Sequence, residues 1–478
     1  MKRFFVSSIL IALSAIILNA KVYLPPIFAD NMVLQQNENV ALWGKAKPNA
    51  KLTITTNWSK VKTVVTTDDA GQWKARIATP QAGGPYEIAF SDGEKLTLKN
   101  IMIGEVWICM GQSNMEMRMR GFGGQPVLGA PDLILGAKPS LPIRSCNIDR
   151  KLALEPEAEC NATWYEHTPK GVAEASATAY FFAKRLYETL EIPIGIINVS
   201  WGGTPIFGWM NPELLEKEFS NDIDLSDLQA KRWRGWNDYQ MPGVLYNGML
   251  HSVIPYTAKG FIWYQGCNDR MQYKLYKQWQ PAFAKMLREE WGNDKMPFYF
   301  TQLAPYRYED PNLPHLGYMM WIQAQTLDMI PFSGMATTHD AGELNCIHPA
   351  NKKVVGDRLA FLALANDYGY DYIDANPPIA IQFEFSEGEA LVTFEAGKMG
   401  LSPINMDIDG FELAGEDQIF YPAKGILIND QGYRKVKVYK CPEVPNPVAV
   451  RYGMKNWSEA TLFNTYGIPA SPFRSDTW

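Results

Sequence analysis

The chain has 478 residues, too many for one hydrophobic core, and about three domains are expected at roughly 150 residues each. Hydrophobic residues make up 46% and charged residues 20%, which excludes disorder as the main state. Forty-five Lys and Arg against 51 Asp and Glu leave a net charge of −6 with no basic block, so no nucleic-acid partner is expected. Fifteen Trp and 23 Tyr suit surfaces that face sugars, although core packing accounts for most such rings.

The chain opens Met1-Lys2-Arg3, runs apolar over 4–18 and reaches Asn19-Ala20. A basic start, a short apolar stretch and a small residue read as a secretory signal peptide, 1–20. The stretch is too short and too interrupted by Ser for a good membrane span, and no later run has 18 apolar residues. The expectation is an exported protein, periplasmic or secreted, with no membrane contact once the signal is removed. Six cysteines would then meet an oxidising compartment, which permits disulfides without imposing them. No CxxC occurs, so neither a thioredoxin-like motif nor a paired-Cys zinc site is supported.

Residues 41–43, 51–56, 61–67, 73–77 and 86–90 are β-rich runs separated by Pro, Asn, Asp and Gly, which predicts a small β-sandwich over 21–100. From 101 the pattern changes. Strands at 103–110, 194–198, 261–264, 298–303 and 334–338 are predicted to alternate with helices at 172–190, 244–254, 275–291, 319–329 and 350–365. Such alternation argues for a parallel sheet with helices on both faces. After 372 the β pattern returns at 379–385, 390–394, 425–428 and 435–439.

Ligands of an open α/β sheet bind beyond the carboxyl ends of its strands. There the sequence places Gln112-Ser113-Asn114, then Gly202-Gly203-Thr204, then Gln265-Gly266-Cys267-Asn268, then His339-Asp340 and His348-Pro349. Serine needs a base to become a nucleophile. His348, on a loop before the last helix, suits that task, and Ser113 follows a Gly that permits a tight turn. The backbone of Gly203 and a side-chain amide of Gln265 or Asn268 could stabilise an oxyanion. His339 ends a strand, His251 lies in a helix, and His167 and His315 fall in loops that read as solvated. The cluster His339, Asp340, Glu343 and His348 has no HExxH and fits no helix face, so no metal is expected.

The run Gly104-Glu105-Val106-Trp107-Ile108-Cys109-Met110-Gly111-Gln112-Ser113-Asn114-Met115-Glu116 resembles the sialate O-acetylesterases of the SGNH (GDSL-type) hydrolase superfamily. So do Leu245-Tyr246-Asn247-Gly248-Met249, Ile262-Trp263-Tyr264-Gln265-Gly266 and Ile347-His348-Pro349. The resemblance implies an SGNH-type three-layer α/β/α domain over 101–372, flanked by β-sandwich-like segments at 21–100 and 373–478. It implies Ser113 as nucleophile, His348 as base, no cofactor, and an O-acetylated sialic acid as substrate. An acetylated glycan such as xylan is the second substrate, and a weakly active or non-catalytic carbohydrate-binding protein is the alternative. Arg118 or Arg120 could meet a sialic acid carboxylate. The oligomeric state is not legible.

The chain departs from the family where relatives carry Glu at Cys267 and Asp at Cys346, and where the superfamily's acid falls on Asn345. Asp340 is then the first choice for the third triad member, with Glu343 or a backbone carbonyl as alternatives. Both substituted cysteines should lie near the base, and a Cys267–Cys346 disulfide clamping the His348 loop is expected. A Cys146–Cys160 bridge is a second, weaker expectation.

Overall fold

The computed structural model describes residues 21–478 except Gln431, so the signal-peptide expectation at 1–20 lies outside the described residues. The architecture is built on one 17-residue strand, Lys95–Gly111. Its first part is exposed or half-buried except at Leu98 and pairs antiparallel with Gly83–Ser91. From Ile101 to Gly111 every residue is buried, as a strand covered on both faces must be. The strand therefore begins in the N-terminal β layer and ends at the centre of a parallel sheet, so residue 100 falls within one strand.

The central sheet runs Ser333–Ala336, Phe298–Thr301, Gly260–Tyr264, Lys95–Gly111, Ile194–Ser200, Ile143–Ile148 and Ala162–Tyr165 in spatial order. All neighbours pair parallel except Ala162–Tyr165, which adds an antiparallel edge. The strand Ile143–Ile148 lacks an apolar pattern because Arg144, Ser145 and Asn147 are buried polar residues, with Arg144 paired to Glu166 and Asn147 to the Glu174 carbonyl. That is why periodicity alone does not find it.

Parallel partners point to the same face, and this sorts the helices. Trp107 packs edge-on to Phe182 of the helix Ala177–Leu190, and that helix meets Lys352–Asp367 where Gly356 lies against Phe181. Phe261 and Trp263 register with Ile108 and Met110, on the opposite face, and pack on Trp291 and Phe283 of Tyr273–Trp291. The result is the expected three-layer α/β/α arrangement. Two predicted helices differ in detail. The stretch near Val244 becomes a π-type turn, Tyr246–Leu250, followed by a 3-10 turn. The helix near Val172 breaks at Ala175, where Ser176 caps a new helix through the Ala179 N–H.

The N-terminal β layer shares its apolar core with the α/β unit. The C-terminal part forms a seven-stranded antiparallel sheet with a core of its own. Its return segment reaches back to the α/β unit. Ser471 accepts a hydrogen bond from Gln302 Nε2 at 2.6 Å, and Asn456 Oδ1 accepts one from the Leu316 N–H at 3.0 Å. Buried His339 lies between the Ala470 carbonyl and the Ser458 hydroxyl. Arg358 holds Asp340 through two bonds of 2.6 and 2.7 Å and also donates to the carbonyls of Thr337 and Gly467.

Breaking a buried ion pair leaves its partner uncompensated, though here Asp340 keeps some solvent. Arg358→Ala is therefore expected to lower the unfolding free energy by about 2–3 kcal/mol, read from the denaturant midpoint at constant slope. A change within about 0.5 kcal/mol would contradict this role.

Candidate active site

In the central sheet the chain turns from one side of Lys95–Gly111 to the other, with Ile194–Ser200 on one flank and Gly260–Tyr264 on the other. This topological switch is where α/β sheets bind ligands. Gly111 ends the strand there with φ +143°, and a Cβ on it would lie 2.2 Å from the Tyr264 carbonyl oxygen, so only glycine fits. The chain then enters the single helical turn Ser113–Glu116. As its first residue, Ser113 has an N–H with no intrahelical acceptor.

Gly202 packs on this turn so closely that a Cβ would come 3.1 Å from the Ser113 Cβ. Its N–H donates to Glu116 Oε2 at 2.8 Å, and Glu116 Oε1 accepts from Arg150 Nε at 2.6 Å. The next N–H, of Gly203, has no acceptor among the described residues.

The loop of the candidate base His348 is tied to the turn of the candidate nucleophile Ser113 by buried Asn114. Its amide donates to the Ile347 carbonyl at 3.1 Å, and its oxygen accepts from Lys352 Nζ. Lys352 is itself buried, and burial lowers its pKa to about 7. His348 follows Ile347 and is half-buried, with its ring edge-on to Phe122 at 5.3 Å. Burial first, and the Lys352 charge second, push its pKa down to about 4. The imidazole is thus neutral and proton-accepting across the ordinary pH range.

Among the described residues no carboxylate hydrogen-bonds this imidazole. Nδ1 donates to Gln125 Oε1 at 2.6 Å, which fixes the tautomer and leaves Nε2 as the basic nitrogen. Gln125 is held by the tight turn Phe122-Gly123-Gly124-Gln125, in which Phe122 and Gln125 exchange two backbone bonds of 3.0 Å. Among the described residues no hydrogen bond joins Ser113 Oγ to His348 Nε2. Such contacts often tighten only when substrate is bound.

Several expectations need correction. Asp340 is paired with Arg358 and does not meet His348. Glu343 accepts from the Ala350 N–H at 2.6 Å and so closes the base loop on itself. Gln265 is fully buried, with its amide donating to Thr204 and Asp269 and its oxygen accepting from Tyr276, so it has no donor left for an oxyanion. Asn268, three residues on, is exposed and remains a candidate donor. All six cysteines are free. Cys267 and Cys346 are not bonded to each other: Cys346 donates to the His348 carbonyl at 3.2 Å, and Cys267 lies against Tyr308. Cys160 likewise donates to the Asp149 carbonyl at 3.1 Å and does not bond Cys146. His167 is buried against the Tyr180 hydroxyl at 2.9 Å, not solvated.

A cleft of about 530 Å³ opens beside the nucleophile turn, from Glu116 to Phe122 and across to Asn147, Arg150 and Ser200. Arg118 lines it but is ion-paired with Glu174, as is Arg120 at 3.5 Å. Buried Asp269, whose pKa burial raises to about 7, accepts from the Ile206 N–H at 2.9 Å and supports the wall behind Gln265. Among the described residues no three His, Cys, Asp or Glu side chains gather as a metal set would require. No helix among them is long and apolar enough to cross a membrane.

The model of the sialic acid-specific acetylesterase family of carbohydrate esterases matches residues 103–363. The sialate O-acetylesterase of Homo sapiens is 28% identical over 407 residues, covering 76% of this chain and 74% of the human protein. That of Mus musculus is 26% identical over 426 residues, covering 76% and 77%. A crystal structure of a carbohydrate acetylesterase from Xanthomonas citri superposes with a TM-score of 0.85 at 31% identity, covering 96% of this chain and all of that one. The fold with its switch-point turn is that of a carbohydrate esterase. The chain belongs to the sialic acid-specific acetylesterase family.

The neutral amide on His348 generates a test. Gln125→Ala is expected to cut kcat/KM about 10–100-fold, as loss of an orienting partner does. Gln125→Glu would favour the imidazolium, raise the His348 pKa and move the acid limb of the pH–rate profile upward from about 4. An unmoved limb in the Glu variant would sink the assignment. Alkylation after unfolding without reductant is expected to label all six cysteines, which mass spectrometry reads.

Proposed function

We propose that the protein is an exported serine O-acetylesterase that removes acetyl groups from a glycan. The observation that carries this reading is the alignment of His348 by Gln125 on a loop that Asn114 ties to the turn of Ser113. Ser113 Oγ would attack the acetyl carbonyl while His348 Nε2 takes its proton. The N–H groups of Ser113 and Gly203 and the amide of Asn268 would hold the oxyanion. His348 would then return the proton to the departing sugar hydroxyl. Water, deprotonated by the same nitrogen, would attack the acetyl-serine and release acetate.

The missing carboxylate has a bounded cost. In the serine-protease template, replacing the acid by an amide costs about 10⁴-fold, largely through the wrong tautomer. Here the amide oxygen faces Nδ1, so the right tautomer is kept and only the charge that would favour the imidazolium is lost.

The name borne by the curated relatives makes O-acetylated sialic acid the first substrate to test. Acetylxylan or another neutral acetylated glycan is the second reading, favoured by the ion pair that already occupies Arg118. Residues 101–372 would form the catalytic unit, braced by 21–100 and 373–478.

Acetate release should be measured on O-acetylated sialic acid, acetylxylan and a small aryl acetate. Ser113→Ala is expected to abolish release, a loss of about 10³-fold or more. Undiminished release by that variant, or none by the intact protein, would contradict the reading.

A further inference from the structure

Segment 231–240 carries two indoles for which the fold has no use. Trp233 is 41% exposed and Trp236 is 72% exposed, whereas Trp107, Trp209, Trp263 and Trp279 are fully buried. The segment that presents them is nevertheless firmly built. Asp238 accepts from the N–H groups of Arg234 and Gly235 at 2.9 and 3.0 Å. Asp227 accepts from the Nε atoms of Arg232 and Arg234, both at 2.8 Å. Gln240 Nε2 donates to the Gly203 carbonyl at 3.0 Å. Order in the backbone with apolar rings left in water is what a preorganised binding surface looks like.

The segment packs on the glycine turn beside the cleft, where Tyr239 lies 3.4 Å from the place a Cβ on Gly203 would take. The Tyr239 ring stacks on Trp201, with centroids 5.9 Å apart and planes within 11°. Arg150, which lines the cleft, lies 5.0 Å from the centre of the Trp201 ring. Trp201 directly precedes the Gly202 that touches Ser113. A layered path thus leads from the cleft through Arg150, Trp201 and Tyr239 to the exposed indoles three and six residues back along the chain.

Charge selects the occupant. Arg118, Arg120 and Arg150 are the cations of the cleft, and each already faces a carboxylate: Glu174 for the first two and Glu116 for the third. Asp149 is the second acid of the lining beside Glu116, and Glu174 stands behind it. With Glu174 counted, three cations face three carboxylates, so no arginine of the cleft is left without a counter-charge for an anionic sugar. A neutral pyranose has instead an apolar C–H face that packs on an aromatic ring and hydroxyls that stay in water.

Resting on the esterase reading above, we infer that the acetylated sugar is one unit of a neutral oligosaccharide chain, and that Trp233 and Trp236 form a platform for the units beyond it. Recognition then grows with chain length, since each stacked unit adds apolar contact that a monosaccharide cannot reach.

The experiment compares acetylated xylo-oligosaccharides from disaccharide to hexasaccharide, O-acetylated sialic acid and a small aryl acetate. It uses the intact protein and the double variant Trp233→Ala, Trp236→Ala. For the intact protein, kcat/KM is expected to rise about tenfold with length, equivalent to about 1.4 kcal/mol. The double variant should lose that rise and keep its aryl acetate activity. Deacetylated xylohexaose should quench the indole fluorescence of the intact protein and not that of the variant. No dependence on length, an equal loss on the aryl acetate, or preference for sialic acid over every neutral oligosaccharide would overturn the inference. An inactive protein that still shows the hexasaccharide quench would defeat the esterase reading and leave the platform standing.

Discussion

The strand Lys95–Gly111 is the constraint on which the rest of the molecule hangs. It is edge-paired in the N-terminal β layer and doubly covered in the central sheet. A register slip by one residue would turn every side chain to the other face. It would break two cores at once, because Trp107 and Ile108 face different helix layers. The strand also ends where the connections change direction, so its last residue sets the position of Ser113. Gly111 and Gly202 allow the backbone to come that close to its neighbours, and a side chain at either would push the nucleophile turn away from the sheet.

Around that point the polar groups are arranged in pairs that leave little charge uncompensated. Asn114 absorbs both the Ile347 carbonyl and the Lys352 ammonium, so one amide joins the nucleophile turn, the base loop and the last helix. Glu116 links the glycine turn to Arg150. The His348 imidazole is oriented by a neutral amide in place of an acid. A buried carboxylate would need a further donor or cation to offset its desolvation, whereas an amide beside a neutral ring has a far smaller burial cost. The arrangement trades some stabilisation of the imidazolium for a site that stays electrically quiet.

Much of this was legible from the residues. The alternation of strands and helices specified the parallel sheet, and the residues following each strand marked the edge where the site lies. Periodicity missed Ile143–Ile148 because its buried side chains are partly polar. The partner of His348 was beyond reach for a different reason. Gln125 is 223 residues away, and only the glycines around it hint at a fixed turn. Asp340 was the reasonable choice by proximity, yet Arg358, 18 residues along the chain, competes for it with better geometry. The cysteines were misread because nearness to one loop does not decide which atom a sulfur faces. Gln265 sits at the site's edge as expected, but hydrogen-bond saturation removes it from the chemistry, and saturation is a property of neighbours that no local pattern records.

The hold of Arg358 and His339 on the 453–473 segment has a consequence for how the enzyme comes into being. A polypeptide grows from its N-terminus, and the turn of Ser113, the central sheet and His348 are all made well before this segment. At ordinary synthesis rates the residues separating His348 from Ser471 take about 10 s to appear. Until then the strand end that launches the base loop lacks the carbonyls of Gly467 and Ala470 and the hydroxyl of Ser458. Assembly of the last part of the chain thus acts as a completion check. A product cut short before this segment would keep every group of the proposed chemistry but lose the contacts that the segment makes with His339 and Arg358.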